Sequence, residues 1–461
     1  MEMLPAILAP AALGSLVLAL LLRNDRNMGP LLRIGLAFPL GMGLVTVQMF
    51  LLGVLRVPLT LISVASLVSA EIVVLGLIAW RTGAPLLSSG QALPTLRTWP
   101  AKLAVAAFAG WAMLKIGSVF VETLLRPIYA WDAWANWSAG AKAFYYAKSL
   151  LLDAPAPYFF GKGAVFRIVE YPLHNSLSQV WFALWAGTFD EVLVKLSSPA
   201  YLLSMALVLY DVASRKIGRL LALLLLVVFL SSPLLSYHAI EVYSDLPLGM
   251  YLCLTLVAFL LAMGGNRSAW VLIGLFSALA LFTKDEAPFF VLPLLASALV
   301  FLYGKRGIPA GSRRPALLAL FLPLLLAAPW FLFKLYYGIG TGAGIKVVFT
   351  FHPEVIEAMV LNLLSLNNFL AIPLFFVLFL GFSGKPEWEF LHLFLPLAIF
   401  IAFFTSVYAL TTFYFEQFSN GTVFFRNVLT WYPSLCLLVA LEIRKVLPAD
   451  WRAPLGALQS E

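Results

Sequence analysis

The sequence has few charged residues and few cysteines, the residues that form disulfide bonds. Lysine, arginine, aspartate and glutamate make up 11% of the 461 residues, whereas an ordinary soluble domain has about 25%. There are only two cysteines, Cys253 and Cys436, and both fall inside apolar runs. They cannot form the disulfide framework of a loop domain. The composition therefore excludes an ordinary soluble protein and a disulfide-rich secreted domain.

Several short ligand-binding motifs are also missing. No cluster of cysteine and histidine has metal-ligand spacing, and there is no phosphate loop or nucleophile elbow. The glycine run GIGTGAG, residues 338–344, has Ala343 where a dinucleotide fingerprint needs glycine. The basic residues are scattered in ones and twos along short loops. The net charge of +8 therefore does not indicate a nucleic-acid partner.

Long apolar runs dominate the chain, since 62% of the residues are hydrophobic. About thirteen runs approach the roughly 20 residues that a membrane span needs. No basic segment precedes the first run and no cleavage pattern follows it, so we expect a retained span rather than a signal peptide. The sequence predicts an all-α polytopic membrane protein. Its spans are expected near 5–22, 34–54, 58–80, 103–120, 192–210, 219–236, 246–263, 269–283, 287–303, 315–333, 366–383, 391–410 and 428–443.

Charged residues predict which side of the membrane each loop faces. With the loop 23–33 inside, alternation places eighteen of the thirty Lys and Arg residues in the inner loops, as the positive-inside rule requires. Thirteen of the 22 acidic residues then fall outside, as do the long loops 121–191, 334–365 and 411–427. Long loops are usually functional or disordered. We therefore expect the functional groups of this membrane protein to lie at its outer face, which in a bacterial inner membrane would be the periplasmic or exterior side.

These runs divide the chain into four regions. Membrane spans fill the first region, and interfacial juxtamembrane helices are expected in the second, which is the first long outer loop. The third region holds the central spans, and the fourth holds the last spans with two outer loops. The expected boundaries are 1–120, 121–191, 192–333 and 334–461.

The segment YAWDAWANWS, residues 129–138, places one carboxylate among aromatic residues. On an α-helix the three tryptophans would share one face, whereas Asp132 and Asn136 would share another. Aromatic residues concentrate at membrane interfaces, so we expect this set to anchor the loop to lipid head groups or to pack on a sugar ring. Asp132 would be a functional carboxylate or the N-cap of the helix. The aromatic residues are Tyr129, Trp131, Trp134 and Trp137.

Four stretches and a fifth, weaker one occur in an order found in a known family. They are WDAWANWSAGAKAFYY (131–146), EYPLHNSLSQVWFALWAGTFDEVLVKLSSP (170–199), LLLLVVFLSSPLLSYHAIEVYSDLPLGMY (223–251), IGLFSALALFTKDEAPFF (273–290) and FFRNVLTWYPSL (424–435). Together they resemble the GT-C superfamily of membrane glycosyltransferases, in the branch of protein O-mannosyltransferases and the lipid A aminoarabinose transferase. Many relatives have a second acidic residue where this chain has Ala133, and some have a lysine near the position of Glu170.

This resemblance implies a GT-C-like fold and a glycosyltransferase. The donor would be a polyprenyl-phosphate-linked sugar in the bilayer, and the acceptor a lipid, glycan or protein at the outer face. Asp132 would be the general base for an inverting transfer. The leaving phosphate needs cations, for which the candidates are Arg426, Lys284, Lys162 and Arg167. A further set could contact the acceptor or bind a divalent cation, Mg²⁺ or Mn²⁺, and consists of His238, Glu241 and Asp245.

Simpler interpretations of these residues are also open. Glu241 and Asp245 lie one turn apart near a span start, where acidic residues favour a helix N-terminus anyway. Arg426 could extend to lipid head groups. Lys284 could pair within its own turn, with Asp285 and Glu286.

A secondary transporter or flippase of lipid-linked or small polar substrates is the main alternative. The charged interruption 283–288 resembles the broken helices of transporters, but no internal repeat is visible and the acidic residues gather at one face. A ligase of the O-antigen type would use an arginine-rich outer loop, whereas the loop 334–365 carries only Lys334 and Lys346.

The predicted sidedness can be tested by cysteine labelling in intact cells. A cysteine at position 153 should react with an impermeant thiol reagent, and one at position 310 should not. The parent protein without an added cysteine is the control. Labelling in the opposite sense would contradict the topology and the outer-face active site.

Overall fold

The computed structural model describes residues 3–23, 28–86, 98–152, 170–304, 310–339, 348–364, 368–369, 372–382, 384, 386–412 and 422–447. Within these ranges the regular structure is helical apart from a single bridge between Phe349 and Thr411. In chain order the first helices are α1 (Leu4–Leu21), α2 (Pro30–Val54), α3 (Leu61–Thr82), α4 (Trp99–Leu125), a π-helix (Ala133–Ser138), α5 (Ala139–Ala147) and α6 (His174–Ala186).

The remaining helices follow a 3₁₀ turn, Leu193–Leu196, that leads into α7. They are α7 (Ser197–Ile217), α8 (Arg219–Leu230), α9 (Pro233–Ile240), α10 (Asp245–Met263), α11 (Ala269–Leu281), α12 (Pro288–Tyr303), α13 (Ala310–Leu320), α14 (Leu322–Tyr336), α15 (Pro353–Leu364), α16 (Ile372–Phe382), α17 (Trp388–Leu410) and α18 (Thr422–Val446).

The expected all-α membrane architecture is confirmed, but the number of thirteen spans is not. Nine helices in the described ranges are long and apolar enough to cross a bilayer, and the pair α8 and α9 makes up to ten. That pair bends by 68° where Ser232 precedes Pro233, because proline cannot continue a helix and pushes the preceding residue out of the helical region. The other three predicted spans correspond to α11, α12 and α16, which have only 13, 16 and 11 residues.

The interior of the protein is built around α10. In its apolar membrane-spanning stretch, 89% of the residues are buried inside the protein. The corresponding share is 83% for α18, 78% for the segment containing α7 and 72% for α2. In the apolar stretches of α3 and α4, only 11% of the residues are buried. Most residues of these two helices therefore face outward, as expected for helices that contact lipid.

A buried polar network joins four helices of this interior. His174 on α6 lies 2.7 Å from the Thr46 hydroxyl of α2 through Nδ1 and 2.9 Å from the Tyr201 hydroxyl of α7 through Nε2. Tyr251 on α10 lies 3.2 Å from Tyr201 and donates to the Pro39 carbonyl at 2.9 Å. Polar groups within a bilayer must be satisfied internally. The network therefore fixes α6 against α2, α7 and α10.

Four helix ends converge at one face of the bundle. They are the end of α4 with the segment that follows it, the start of α10, the end of α11 and the start of α18. Ion pairs between residues 132, 245, 284 and 426 connect these ends. The fold therefore collects charged residues from distant parts of the sequence into one cluster.

Candidate active site

Asp245 is the centre of this charged cluster. It is the first residue of α10, where a carboxylate interacts well with the helix N-terminus, and its side chain is completely buried. Lys284 Nζ donates to Oδ1 at 3.0 Å, and Arg426 approaches Oδ2 with Nε at 3.2 Å and Nη2 at 3.1 Å. A buried charge is tolerated only when it is paired, and Asp245 has two cationic partners.

Arg426 connects this buried carboxylate to Asp132. Its Nη1 contacts Asp132 Oδ2, and Asn136 donates to the other Asp132 oxygen at 3.2 Å. The side chains of Asp132 and Arg426 are 28% and 23% exposed, whereas that of Asp245 is not exposed. The cluster thus opens to the surface at Asp132 and is closed beneath.

Lys284 forms the second cationic contact and lies in the turn between α11 and α12. Its Nζ also pairs with Glu286 at 2.7 Å and lies 5.7 Å from the centre of the Tyr171 ring. Burial alone would lower the pKa of Lys284, but Asp245 and Glu286 outweigh it and raise the pKa. The lysine therefore stays charged. It forms one ion pair within its own turn, with Glu286, and one with Asp245 of the cluster.

A second ion pair lies beside this turn and was not expected from the sequence. Lys334 near the end of α14 pairs with Asp285 at 3.1 Å and donates to the Glu170 carbonyl at 2.9 Å. Burial raises the pKa of Asp285 to about 6, although Lys334 lowers it. A lysine close to the outer end of a predicted span was the available signal, but it did not identify Asp285 as the partner.

Aromatic rings enclose the cationic side of the cluster. The Arg426 guanidinium lies 4.9 Å from the centre of the Tyr243 ring, which itself lies 4.4 Å from the His238 ring. His238 is buried, with Nδ1 3.9 Å from Asp245 Oδ2. Tyr243 belongs to the short loop before α10, and the sequence analysis did not select it. A guanidinium over an aromatic face is stabilised electrostatically.

The expected trio of His238, Glu241 and Asp245 does not assemble. Glu241 has an extended backbone at the end of α9 and faces Lys195, 3.5 Å away. Among the residues that the structure describes, no group of three or more His, Cys, Asp or Glu side chains is arranged to hold a metal ion. The expectation that these three residues form a metal site is therefore wrong. A requirement for a divalent cation stays a prediction.

The expectation that the three tryptophans share one face is wrong. Trp131 and Trp134 are 63% and 53% exposed and lie 6.0 Å apart, but Trp137 is buried beside Tyr171, with ring centres 5.1 Å apart. Residues 133–138 form a π-helix, whose i→i+5 hydrogen bonds put more residues in each turn than an α-helix has. Residues three apart therefore diverge, and only two of the tryptophans remain available to lipid or sugar.

The N-cap role of Asp132 is also wrong, since its side chain makes no capping hydrogen bond. Tyr129 is 47% exposed, and its ring centre lies 6.1 Å from that of Tyr237. The two other predicted phosphate ligands, Lys162 and Arg167, lie outside the described residues. The structure therefore brings together Asp132, His238, Asp245, Lys284 and Arg426 from the predicted set.

Comparisons with known proteins show what the sequence and the fold of this chain are similar to. A family model for dolichyl-phosphate-mannose-protein mannosyltransferase matches residues 172–333. Among solved structures, apo ArnT from Cupriavidus metallidurans is similar with a TM-score of 0.53, at 16% identity, over 76% of this chain. The chain has an ArnT-like GT-C fold. It spans 62% of the ArnT chain, and no curated protein matches its sequence.

The resemblance to GT-C membrane glycosyltransferases, stated from sequence motifs, is thus confirmed by the family match and the fold. The family match includes Asp245 and Lys284 but not Asp132 or Arg426. The ion pairs through Arg426 link these two residues to the matched region. The site therefore extends beyond the part of the chain that the family match covers.

Replacing Asp245 with asparagine should destabilise the fold strongly. The variant leaves Lys284 without one of its partners and Arg426 paired only with Asp132. Breaking a buried ion pair costs about 3–5 kcal/mol. The loss in free energy of unfolding can be measured by unfolding the protein in detergent. Glu286→Gln is the matched control, because Lys284 keeps Asp245 and Glu286 is partly exposed. Equal stability of the two variants would contradict the central role of Asp245.

Proposed function

We propose that this protein is a glycosyltransferase that moves a sugar from a polyprenyl phosphate to an acceptor at the outer face of a bacterial plasma membrane. The family match and the ArnT-like fold support the general class. The observation that carries the specific proposal is Arg426, which bridges a partly exposed carboxylate, Asp132, and a buried one, Asp245. This arrangement places a base next to a cation that fits phosphate.

Donor binding would rearrange this bridge. In the structure both Arg426 and Lys284 are paired with carboxylates. An arginine fork binds phosphate with two parallel hydrogen bonds. We infer that the donor phosphate replaces Asp132 on Arg426, while Asp245 keeps hold of the guanidinium from beneath. The exchange leaves Asp132 as a free carboxylate next to the bound donor.

The transfer then needs one base and one cation. A carboxylate oxygen of Asp132 accepts the proton of the acceptor hydroxyl or amine. The acceptor atom forms a bond to the anomeric carbon as the bond from that carbon to the phosphate oxygen breaks. The electron pair stays on the phosphate, whose charge Arg426 stabilises. Attack opposite the leaving phosphate inverts the anomeric configuration.

A transporter or flippase is supported by one feature, the 68° break between α8 and α9. Transporters use broken helices to build sites near the membrane midplane. In this protein the charged groups instead gather where whole helices end. A transporter would move the intact lipid-linked sugar, so release of free polyprenyl phosphate would favour the transferase. Polyprenyl-phosphate mannose, with the sugar in the matching family's name, is a suitable first probe.

Asp132→Asn should abolish transfer but keep or increase affinity for polyprenyl phosphate. The amide cannot accept the proton, while Arg426 loses a competing negative charge and becomes more available to phosphate. Turnover of the donor and binding of polyprenyl phosphate to purified protein would measure the two effects. The isosteric Asn136→Asp variant is a useful comparison, since a second carboxylate should weaken phosphate binding. Wild-type turnover by folded Asp132→Asn protein would eliminate Asp132 as the base.

Arg426→Ala should weaken binding of polyprenyl phosphate by about ten- to a hundredfold, because a charge-assisted hydrogen bond contributes about 1.5–3 kcal/mol. Arg426→Lys should restore part of the affinity, since lysine keeps the charge but loses the fork. Affinities are compared for protein that elutes as a folded species. If Arg426 only anchored the helix to head groups, all three proteins would bind the phosphate equally well.

A further inference from the structure

A further ion pair, between Lys195 and Glu241, is completely buried and lies apart from the cluster around Asp245. Lys195, in the 3₁₀ turn before α7, points its Nζ at Glu241 Oε1 from 3.5 Å, and neither side chain is exposed. Neither residue is needed for the chemistry proposed above. Burying two charges is energetically costly. The groups that surround this ion pair therefore indicate its role.

Both residues face the irregular segment 126–130, which connects α4 to Asp132. Lys195 Nζ donates to the Pro127 carbonyl at 3.4 Å. Burial raises the pKa of the Glu241 carboxyl, and the nearby charge of Lys195 and the backbone of Tyr129 and Ala130 counteract this only in part. A segment outside a helix must satisfy its buried backbone groups elsewhere. Lys195 supplies a donor for the Pro127 carbonyl, and Glu241 neutralises the buried charge of Lys195.

We propose that Lys195 and Glu241 are positioning residues that hold residues 127–130 and thereby place the Asp132 carboxylate at the reacting centre. This inference rests on the proposed function. In the structure the Asp132 side chain is held by Arg426 and Asn136. When donor phosphate takes over Arg426, that contact is lost, and the backbone tether keeps Asp132 in place. A displacement of about 1 Å at such a group can cost a hundredfold in rate.

The decisive variant is Lys195→Met/Glu241→Leu, which removes both charges and leaves neither unpaired. We expect hydrogen–deuterium exchange to increase in residues 127–138, kcat to fall by about ten- to a hundredfold, and affinity for polyprenyl phosphate to remain unchanged. The matched control is Lys142→Met/Glu191→Leu, which makes the same replacements at an exposed pair 3.2 Å apart. The control should keep wild-type kcat and wild-type exchange in residues 127–138.

A single variant separates positioning from a structural role. Glu241→Gln keeps a side-chain oxygen that can face Lys195 Nζ but loses the charge, so it should retain more kcat than Glu241→Leu. If the double variant does not fold, this pair of single variants decides. Equal kcat in Glu241→Gln, Glu241→Leu and wild type overturns the proposal.

Hydrogen–deuterium exchange keeps this test independent of the proposed function. Unchanged exchange in residues 127–138 of the folded double variant overturns the positioning role whatever the enzyme does. A parallel loss of affinity for polyprenyl phosphate also overturns it, because the pair would then act on the donor site. Absence of donor turnover by wild-type protein counts against the transferase, while increased exchange in the variant would still support the tether.

Discussion

A carboxylate buried at the start of a central helix must be neutralised by its neighbours, and this requirement organises the charged face of the bundle. Asp245 has no exposed side-chain surface, so two cations have to reach it. Lys284 arrives from the turn after α11 and Arg426 from the start of α18. Because Arg426 has a further N–H group to donate, the same requirement brings in Asp132. The positions of three helix ends thus follow from one buried charge.

The same interactions explain how a stable site can also be reactive. The lower half of the cluster, Asp245 with Lys284, is closed to solvent and has well-formed contacts. The upper half, Asp132 with Arg426, is partly exposed, and exposed ion pairs contribute little to stability. An anionic ligand can therefore replace Asp132 without disturbing the buried part. The buried pair thus lies directly below the contact that the proposed donor exchange would break.

Composition and hydrophobic length were sufficient to predict the helical membrane fold, whereas five residues that meet in the cluster were selected with the help of the resemblance to GT-C glycosyltransferases. Hydrophobic length located each span, but it could not show that α8 and α9 are bent or that α11 and α16 are short. The error at Trp137 arose from assuming the α-helical period in a segment that forms a π-helix. The pattern of residue types does not show this change of period, nor does it show the packing of Trp137 beside Tyr171.

Pairings between distant residues could not be predicted from one sequence. Lys195 and Glu241 are 46 positions apart by their numbering, and Lys334 and Asp285 are 49 apart. Nothing in composition or spacing selects these partners from the other charged residues of the chain. Tyr243 was missed for a related reason, because a tyrosine before a span resembles any interfacial aromatic residue. Its contact with Arg426 exists only once α18 has packed against α10.

The contribution of α18 to the cluster has a consequence for how the protein is made. Arg426 lies in the last helix that the structure describes, whereas Asp132 and Asp245 are synthesised long before it. Until the ribosome has delivered that helix to the membrane, the nascent chain carries both carboxylates without their shared cation. Insertion of α18 is thus the step that supplies the cation shared by Asp132 and Asp245. A chain that stops before residue 422 would lack Arg426, so that Asp132 would lose this cation and Asp245 would keep its ion pair with Lys284.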